Sequence, residues 1–180
     1  MATCSATAQP SVLEQARTAR FAGNIDEAER LLTAFLRSDP NHYLGLYNMG
    51  LVYEARAVRA PLGKARLSYY RTAAQWLEKA YRSPGRRTAG ADAYTIYNSL
   101  GTMYLGLGDL TNAARYLNEG LKNEGRLSNF SKGRLYANLG YLHALQGDIP
   151  QARRYFQAGA QLDSDFAKES LRRLDAAKVR

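Results

Sequence analysis

Two stretches of this chain, YNSLGTMYLGLGDLTNAARYLNEG at 97–120 and YANLGYLHALQGDIPQARRYFQAG at 136–159, place small residues at the same intervals. Gly101, Gly108, Ala113 and Gly120 are separated by 7, 5 and 7 positions. Gly140, Gly147, Ala152 and Gly159 repeat that spacing. A pattern written twice at a fixed period marks one supersecondary unit used several times. Such a unit buries its apolar face only by stacking on a neighbour.

Within the stretch, Tyr97, Leu100, Met103, Tyr104 and Leu107 recur three or four apart, as on one face of a helix. Gly108 stops that helix, because glycine takes the left-handed conformation at a C-terminus without steric cost. Asp109 then offers a carboxylate to the free N–H groups of a second helix, whose apolar series is Ala113, Tyr116, Leu117 and Leu121. Gly147 and Asp148 serve the later copy in the same way, with Pro150 in the first turn, where a missing N–H matters least. The unit is helix, tight turn, helix. Gly101 with Ala113, and Gly140 with Ala152, are small where the paired helices must approach.

These residues resemble the tetratricopeptide repeat, a helical hairpin of about 34 residues. Ala16, Gly23, Ala28 and Phe35 keep the 7, 5, 7 spacing, with Phe35 large where the family is small, and that unit ends at Asp39-Pro40. Leu46, Met49, Gly50 and Tyr53, then Ala73, Leu77 and Ala80, carry a further unit. The resemblance implies an all-α, right-handed α-α superhelix over 11–178. Its four hairpins fall at 11–40, 43–84, 93–124 and 132–163, with a capping helix at 165–178. Residues 1–10 are expected to form a disordered leader.

The second unit departs from the pattern. Tyr104 to Ala113 is nine steps, whereas Tyr53 to Ala73 is twenty, so eleven residues have been added around Pro61-Leu62-Gly63. Both flanks remain helix-forming, which predicts that each helix of this hairpin lengthens by about 8 Å at roughly 1.5 Å per residue. Charge gathers here. Arg56, Arg59, Lys64, Arg66, Arg71, Lys79, Arg82, Arg86 and Arg87 face one acid, Glu78, in a chain of net charge +9. The expectation is a basic stripe along the outer face, able to meet an acidic protein segment or another anionic surface. No nucleic-acid motif interleaves with it, so nucleic acid is expected to bind only nonspecifically at low salt.

The resemblance also implies a concave groove lined by the first helix of each pair. Asn48 and Asn138 match the asparagines with which family members hold a peptide backbone; Glu14 and Ser99 take that place in the other units. Arg134 matches a basic position that some members use to grip a carboxylate, and Arg17 stands where those members carry asparagine. Arg20, Tyr47, Leu51, Asn98, Thr102 and Tyr141 complete the expected lining, which suits an extended peptide or a docked helix. Tyr53, Tyr97, Tyr104, Tyr136 and His143 read as packing residues between helices.

No catalytic arrangement emerges. The chain has one cysteine, Cys4, and two histidines, His42 and His143, in different units. That gives no zinc cluster, no internal disulfide and no nucleophile–base pair, so neither cofactor nor metal is expected. The chain reads as a noncatalytic, protein-binding scaffold, cytoplasmic as given. The alternative is a bacterial envelope lipoprotein or pilus and secretion assembly factor. There Cys4 would be the tether, with membrane association only through its acylation, and an upstream apolar segment would be needed.

Overall fold

The computed structural model describes residues 10–90 and 92–177. The expected leader, Cys4 included, lies outside the described residues apart from Pro10. The described residues form nine α-helices in chain order: α1 Val12–Phe21, α2 Ile25–Ser38, α3 Tyr43–Arg59, α4 Lys64–Arg82, α5 Asp92–Leu107, α6 Leu110–Lys122, α7 Asn129–Leu145, α8 Ile149–Gln161 and α9 Asp165–Ala177. Short 3₁₀ turns at Pro84–Thr88 and Glu124–Arg126 link the middle units. Successive helices pack as antiparallel pairs, and each pair packs on the next. Among the described residues, no helix is long and apolar enough to cross a membrane.

The start and stop signals act as the residues dictate. Gly23, Gly108 and Gly147 all have positive φ, between 75° and 87°, in the three short turns. Asp109 accepts from the Asn112 N–H at 3.0 Å and Asp148 from the Gln151 N–H at 3.1 Å. Ser11 and Glu14 form a reciprocal capping box at the head of α1. The His42 imidazole caps α3 by accepting from the Gly45 N–H at 3.2 Å.

The small residues stand at the helix crossings. A methyl group on Gly101 would lie 2.4 Å from Leu117 Cδ2, one on Gly140 2.6 Å from the Phe156 ring, and one on Gly50 2.6 Å from Leu77 Cγ. Ala28, Ala73, Ala113 and Ala152 are fully buried. Phe35, the residue too large for its repeat position, is matched by a small partner: a methyl on Gly45 would lie 3.1 Å from its ring. In the later units the sizes are exchanged. Ala80 and Gly120 hold the position of Phe35, while Ile96 and Leu135 hold that of Gly45, all of them buried. Volume is conserved across the interface although neither side keeps its residue.

The eleven added residues divide unequally. Beyond Tyr53, α3 runs six residues to Arg59, against three beyond Tyr104 in α5. Before Ala73, α4 runs nine residues from Lys64, against three before Ala113 in α6. The connecting turn is Ala60–Gly63 in place of Gly108–Asp109. The equal lengthening expected from sequence is therefore corrected: α4 takes most of the addition, about 9 Å of helix at 1.5 Å per residue. Pro61 and Gly63, with φ +124° at Gly63, fix the turn early in the insertion. They leave α4 free to begin six residues early.

Candidate peptide-binding groove

The first helices of neighbouring pairs lie along one side of the array. α1 meets α3, α5 meets α7, and α7 meets α9 directly. α3 and α5 meet less closely, with the Pro84–Thr88 turn packed against both. The Tyr47 hydroxyl and Ser99 Oγ bridge that gap at 3.1 Å.

Several expected lining residues turn out to hold the helices together. Asn98 is only 5% exposed; its Oδ1 accepts from Asn138 Nδ2 at 2.8 Å. The same Asn138 nitrogen donates to Thr102 Oγ1 at 2.8 Å, and the Thr102 hydroxyl donates to the Asn98 carbonyl at 2.9 Å. Asn98, Thr102 and Asn138 thus form a closed amide–hydroxyl network across α5 and α7, and the Asn138 amide hydrogens are already engaged. Asn48 donates to the Leu44 carbonyl one turn back at 2.8 Å. Asn138 thus engages both amide hydrogens within the array, whereas Asn48 makes one bond, within its own helix. Ser99 is buried, and Glu14 is occupied in its capping box.

A charged cluster takes the centre instead, and sequence reasoning missed its key member. Glu54 on α3 faces Arg20 of α1 and Arg134 of α7, which also sense each other's charge across the concavity. The Glu54 side chain still touches solvent, but protein surrounds it on most sides, and that enclosure pushes its carboxyl above the usual range despite the two guanidiniums. Burial likewise lowers the Arg20 guanidinium, whose Nε is buried without a hydrogen-bond partner. Glu54 was legible only as one more helical acid. It stands four residues after Gly50, one helical turn on, and none of its three repeat partners is an acid: Arg20, Leu105 and Ala144 occupy the place.

Towards the C-terminal end the groove opens into a cavity of about 670 Å³. Thr102, Leu105, Arg134, Asn138 and Tyr141 form its floor. The α3–α4 tip contributes Leu62 and Arg66, and α9 contributes Phe166 and Arg173. Arg134, Asn138, Thr102 and Tyr141 thus line one cavity, and Arg134 joins it to the Glu54 cluster. Arg17 is exposed on α1, and Leu51 is half-buried on α3.

The basic residues of the second unit do not form one outer stripe. Arg56 pairs with Asp26 at 2.6 Å and with Glu29 at 2.5 Å. Arg59 donates to the Gly23 carbonyl at 2.8 Å, closing on the first turn. Arg82 pairs with Glu78 at 2.8 Å. Arg86 lies over the Tyr81 ring at 4.6 Å, and with Arg87 and Arg126 it lines a separate hollow. Arg66 belongs to the concave cavity. Lys64 and Arg71 are exposed. Helix pairing brought Asp26 and Glu29 from the first unit onto Arg56, a contact that counting charges along the second unit could not reveal.

A tetratricopeptide repeat profile matches residues 13–87 and 100–165. The chain belongs to the tetratricopeptide repeat family. Among solved structures, its array is similar to TTC0263, a thermophilic tetratricopeptide protein of Thermus thermophilus. The match has 21% identity and a TM-score of 0.68, covering 94% of this chain and 80% of that one. It is also similar to a MamA protein at 20% identity and TM-score 0.62, covering 93% and 80%, and to MamA MSR-1 C2 at 18% and 0.59, covering 84% and 75%. These likenesses concern the fold. No curated protein matches the chain significantly. Tetratricopeptide arrays are, in general, protein–protein interaction modules.

Proposed function

We propose that this array is a noncatalytic scaffold that holds a segment of a partner protein in its concave groove. One observation carries the reading: polar groups in the groove are enclosed by protein yet left without partners of their own. Arg20 Nε has no acceptor, and Glu54 has no ion pair within 4 Å among the described residues, although two arginines face it. A folded chain gains nothing from such an arrangement by itself, because desolvated polar groups cost free energy until something satisfies them. A bound segment can supply the missing partners.

The same logic predicts a stability trade. Glu54 has a native pKa raised above its ordinary value, so the native state holds that proton more tightly than the unfolded chain does. The Glu54 contribution is fully present below its unfolded value, about 4.3, and is lost as pH rises through the native value. Glu54→Gln is therefore expected to raise Tm at pH 7 and to lose that advantage below about pH 4.3.

The groove reading is tested by photocrosslinking in cells. A photoreactive phenylalanine replaces Leu51 in the groove or Gln157 on the exposed side of α8. Partner adducts from position 51 and none from 157 are expected. Adducts from 157 alone, or equally from both, would move the working surface elsewhere.

A further inference from the structure

The eleven-residue insertion builds one wall of a cavity whose opposite wall is the last helix, and the two walls carry the same chemistry. Leu62, at the apex of the α3–α4 tip, is 84% exposed. The fold does not need a leucine there, since a polar residue would serve the turn as well. Across the cavity Phe166 of α9 is 50% exposed and meets the 41% exposed Tyr141 edge-on, ring centroids 6.0 Å apart. Scattered single apolar residues need no explanation, but three that line one cavity from three separate elements do.

Around them stand three guanidiniums: Arg66 from the tip, Arg134 from the floor and Arg173 from α9. Arg66 is braced, its Nε donating to the Ala60 carbonyl at 3.0 Å, so its remaining N–H groups are held in place. Arg134 has no carboxylate within ion-pair distance among the described residues; the Phe130 ring, 6.0 Å away, is its near neighbour. Arg173 shares Glu169 with Arg172, at 3.0 and 3.5 Å, an exposed arrangement worth little in water. None of the residues lining the cavity is acidic. Glu169 stands behind Arg173, and Glu54 lies towards α1.

We infer that this cavity takes an acidic segment of a partner protein that carries a large apolar side chain. The apolar side chain seats among Leu62, Tyr141 and Phe166, and flanking carboxylates reach Arg66, Arg134 and Arg173. Its volume lies within the roughly 300–1,000 Å³ usual for binding cavities. Apolar contact supplies the affinity, and the arginines supply the sign selection and a salt-sensitive rate of encounter. The inference rests on the groove reading and names the partner class for one end of it.

Three labelled synthetic dodecapeptides test it by fluorescence anisotropy on the full chain. One has eight acidic residues around a central Leu-Phe pair, one has Ser-Ser in place of that pair, and one has lysine in place of every acid. The acidic Leu-Phe peptide should bind, weaken with added salt, and exceed both others by about tenfold or more. Leu62→Ser, and separately Arg66→Glu with Arg173→Glu, should each weaken it by about tenfold. Arg37→Glu with Arg154→Glu, an equal change of net charge on α2 and α8, should leave it within about twofold. Unchanged melting temperatures confirm that the tip variants fold. The lysine peptide binding as well as the acidic one, both double variants weakening binding equally, or no acidic-peptide binding at 1 mM protein would each overturn the inference. If position 51 still crosslinks a partner in cells in any of those cases, the groove reading stands and only the partner class is wrong.

Discussion

The contact between the second and third hairpins and the contact between the third and fourth use the same code of small residues but are fastened differently. Between α4 and α5 the Tyr104 hydroxyl donates to Glu78 at 2.5 Å, with the Tyr116 ring stacked 5.6 Å from Tyr104. Between α2 and α3 the Tyr53 hydroxyl donates to Glu29, also at 2.5 Å. The same repeat position in α7 is His143. It stacks on Tyr155 at 5.4 Å and lies 3.6 Å from Asp148, both within its own hairpin. The reason is chemical. Relative to the small residue of the second helix, Glu29 is one position on and Glu78 five; in α6 those places are Ala114 and Asn118, so no carboxylate waits there. The apolar core follows suit. One buried cluster runs from α1 through Tyr116 on α6, a smaller one spans α5, α6 and α7 across the third–fourth contact, and the smallest joins α7, α8 and α9. The third and fourth hairpins are joined instead by Asn138 on Asn98 and Thr102, all neutral groups, while the Tyr136 hydroxyl donates to Glu124 in the connecting turn and not on α6. A bond to a charged acceptor is worth more than one between neutral groups, so in an array that is a sum of units and interfaces the contact without such a bond between its helices is expected to open first.

The largest expected effect breaks the crossing that both regions share. Gly101→Ala sets a methyl group 2.4 Å from Leu117, and the overpacking is expected to cost about 3 kcal/mol or more in urea unfolding. Gly120→Ala is the control. There the methyl would meet the flexible end of Leu135, Cδ1, at 3.0 Å, and the gain in helix propensity offsets the squeeze to within about 1 kcal/mol.

Next comes the fastener itself. Tyr104→Phe removes a hydrogen bond to a charged acceptor and should cost about 2 kcal/mol, measured the same way. The bond at the first interface has a pH signature. Burial and Glu29 push the Tyr53 hydroxyl from 10.0 up to about 12. Its native pKa is raised, so its contribution is intact below about pH 10 and disappears as pH climbs through about 12. The alkaline fall in Tm should be shallower in Tyr53→Phe, which starts lower and has less to lose. The smallest effect is a gain: Asn118→Glu with His143→Tyr copies the Glu78–Tyr104 arrangement onto α6 and α7 and should add about 1 kcal/mol.

The hairpins, their turns and the crossing residues were readable from the chain because each depends on local chemistry: glycine at positive φ, aspartate at a cap, a missing side chain at a contact. The groove was readable only in part. Arg134, Thr102, Asn138 and Tyr141 do gather, but repeat register could not tell that Asn138 already donates to Asn98 and Thr102. Glu54 escaped because its enclosure comes from α1 and α7, far away in sequence. The supposed outer stripe failed for the same reason, since Asp26 and Glu29 reach Arg56 only once the hairpins stack.

Amide hydrogen exchange on the intact chain, followed by mass spectrometry, tests the difference between the two contacts most directly. Peptides from α7 to α9 should exchange at lower opening free energy than those from α3 to α6, and Asn118→Glu with His143→Tyr should narrow the gap. Equal protection along the whole array, or a gap that the double substitution leaves untouched, would contradict the claim that a tyrosine–carboxylate bond between helices of neighbouring hairpins decides where this superhelix opens.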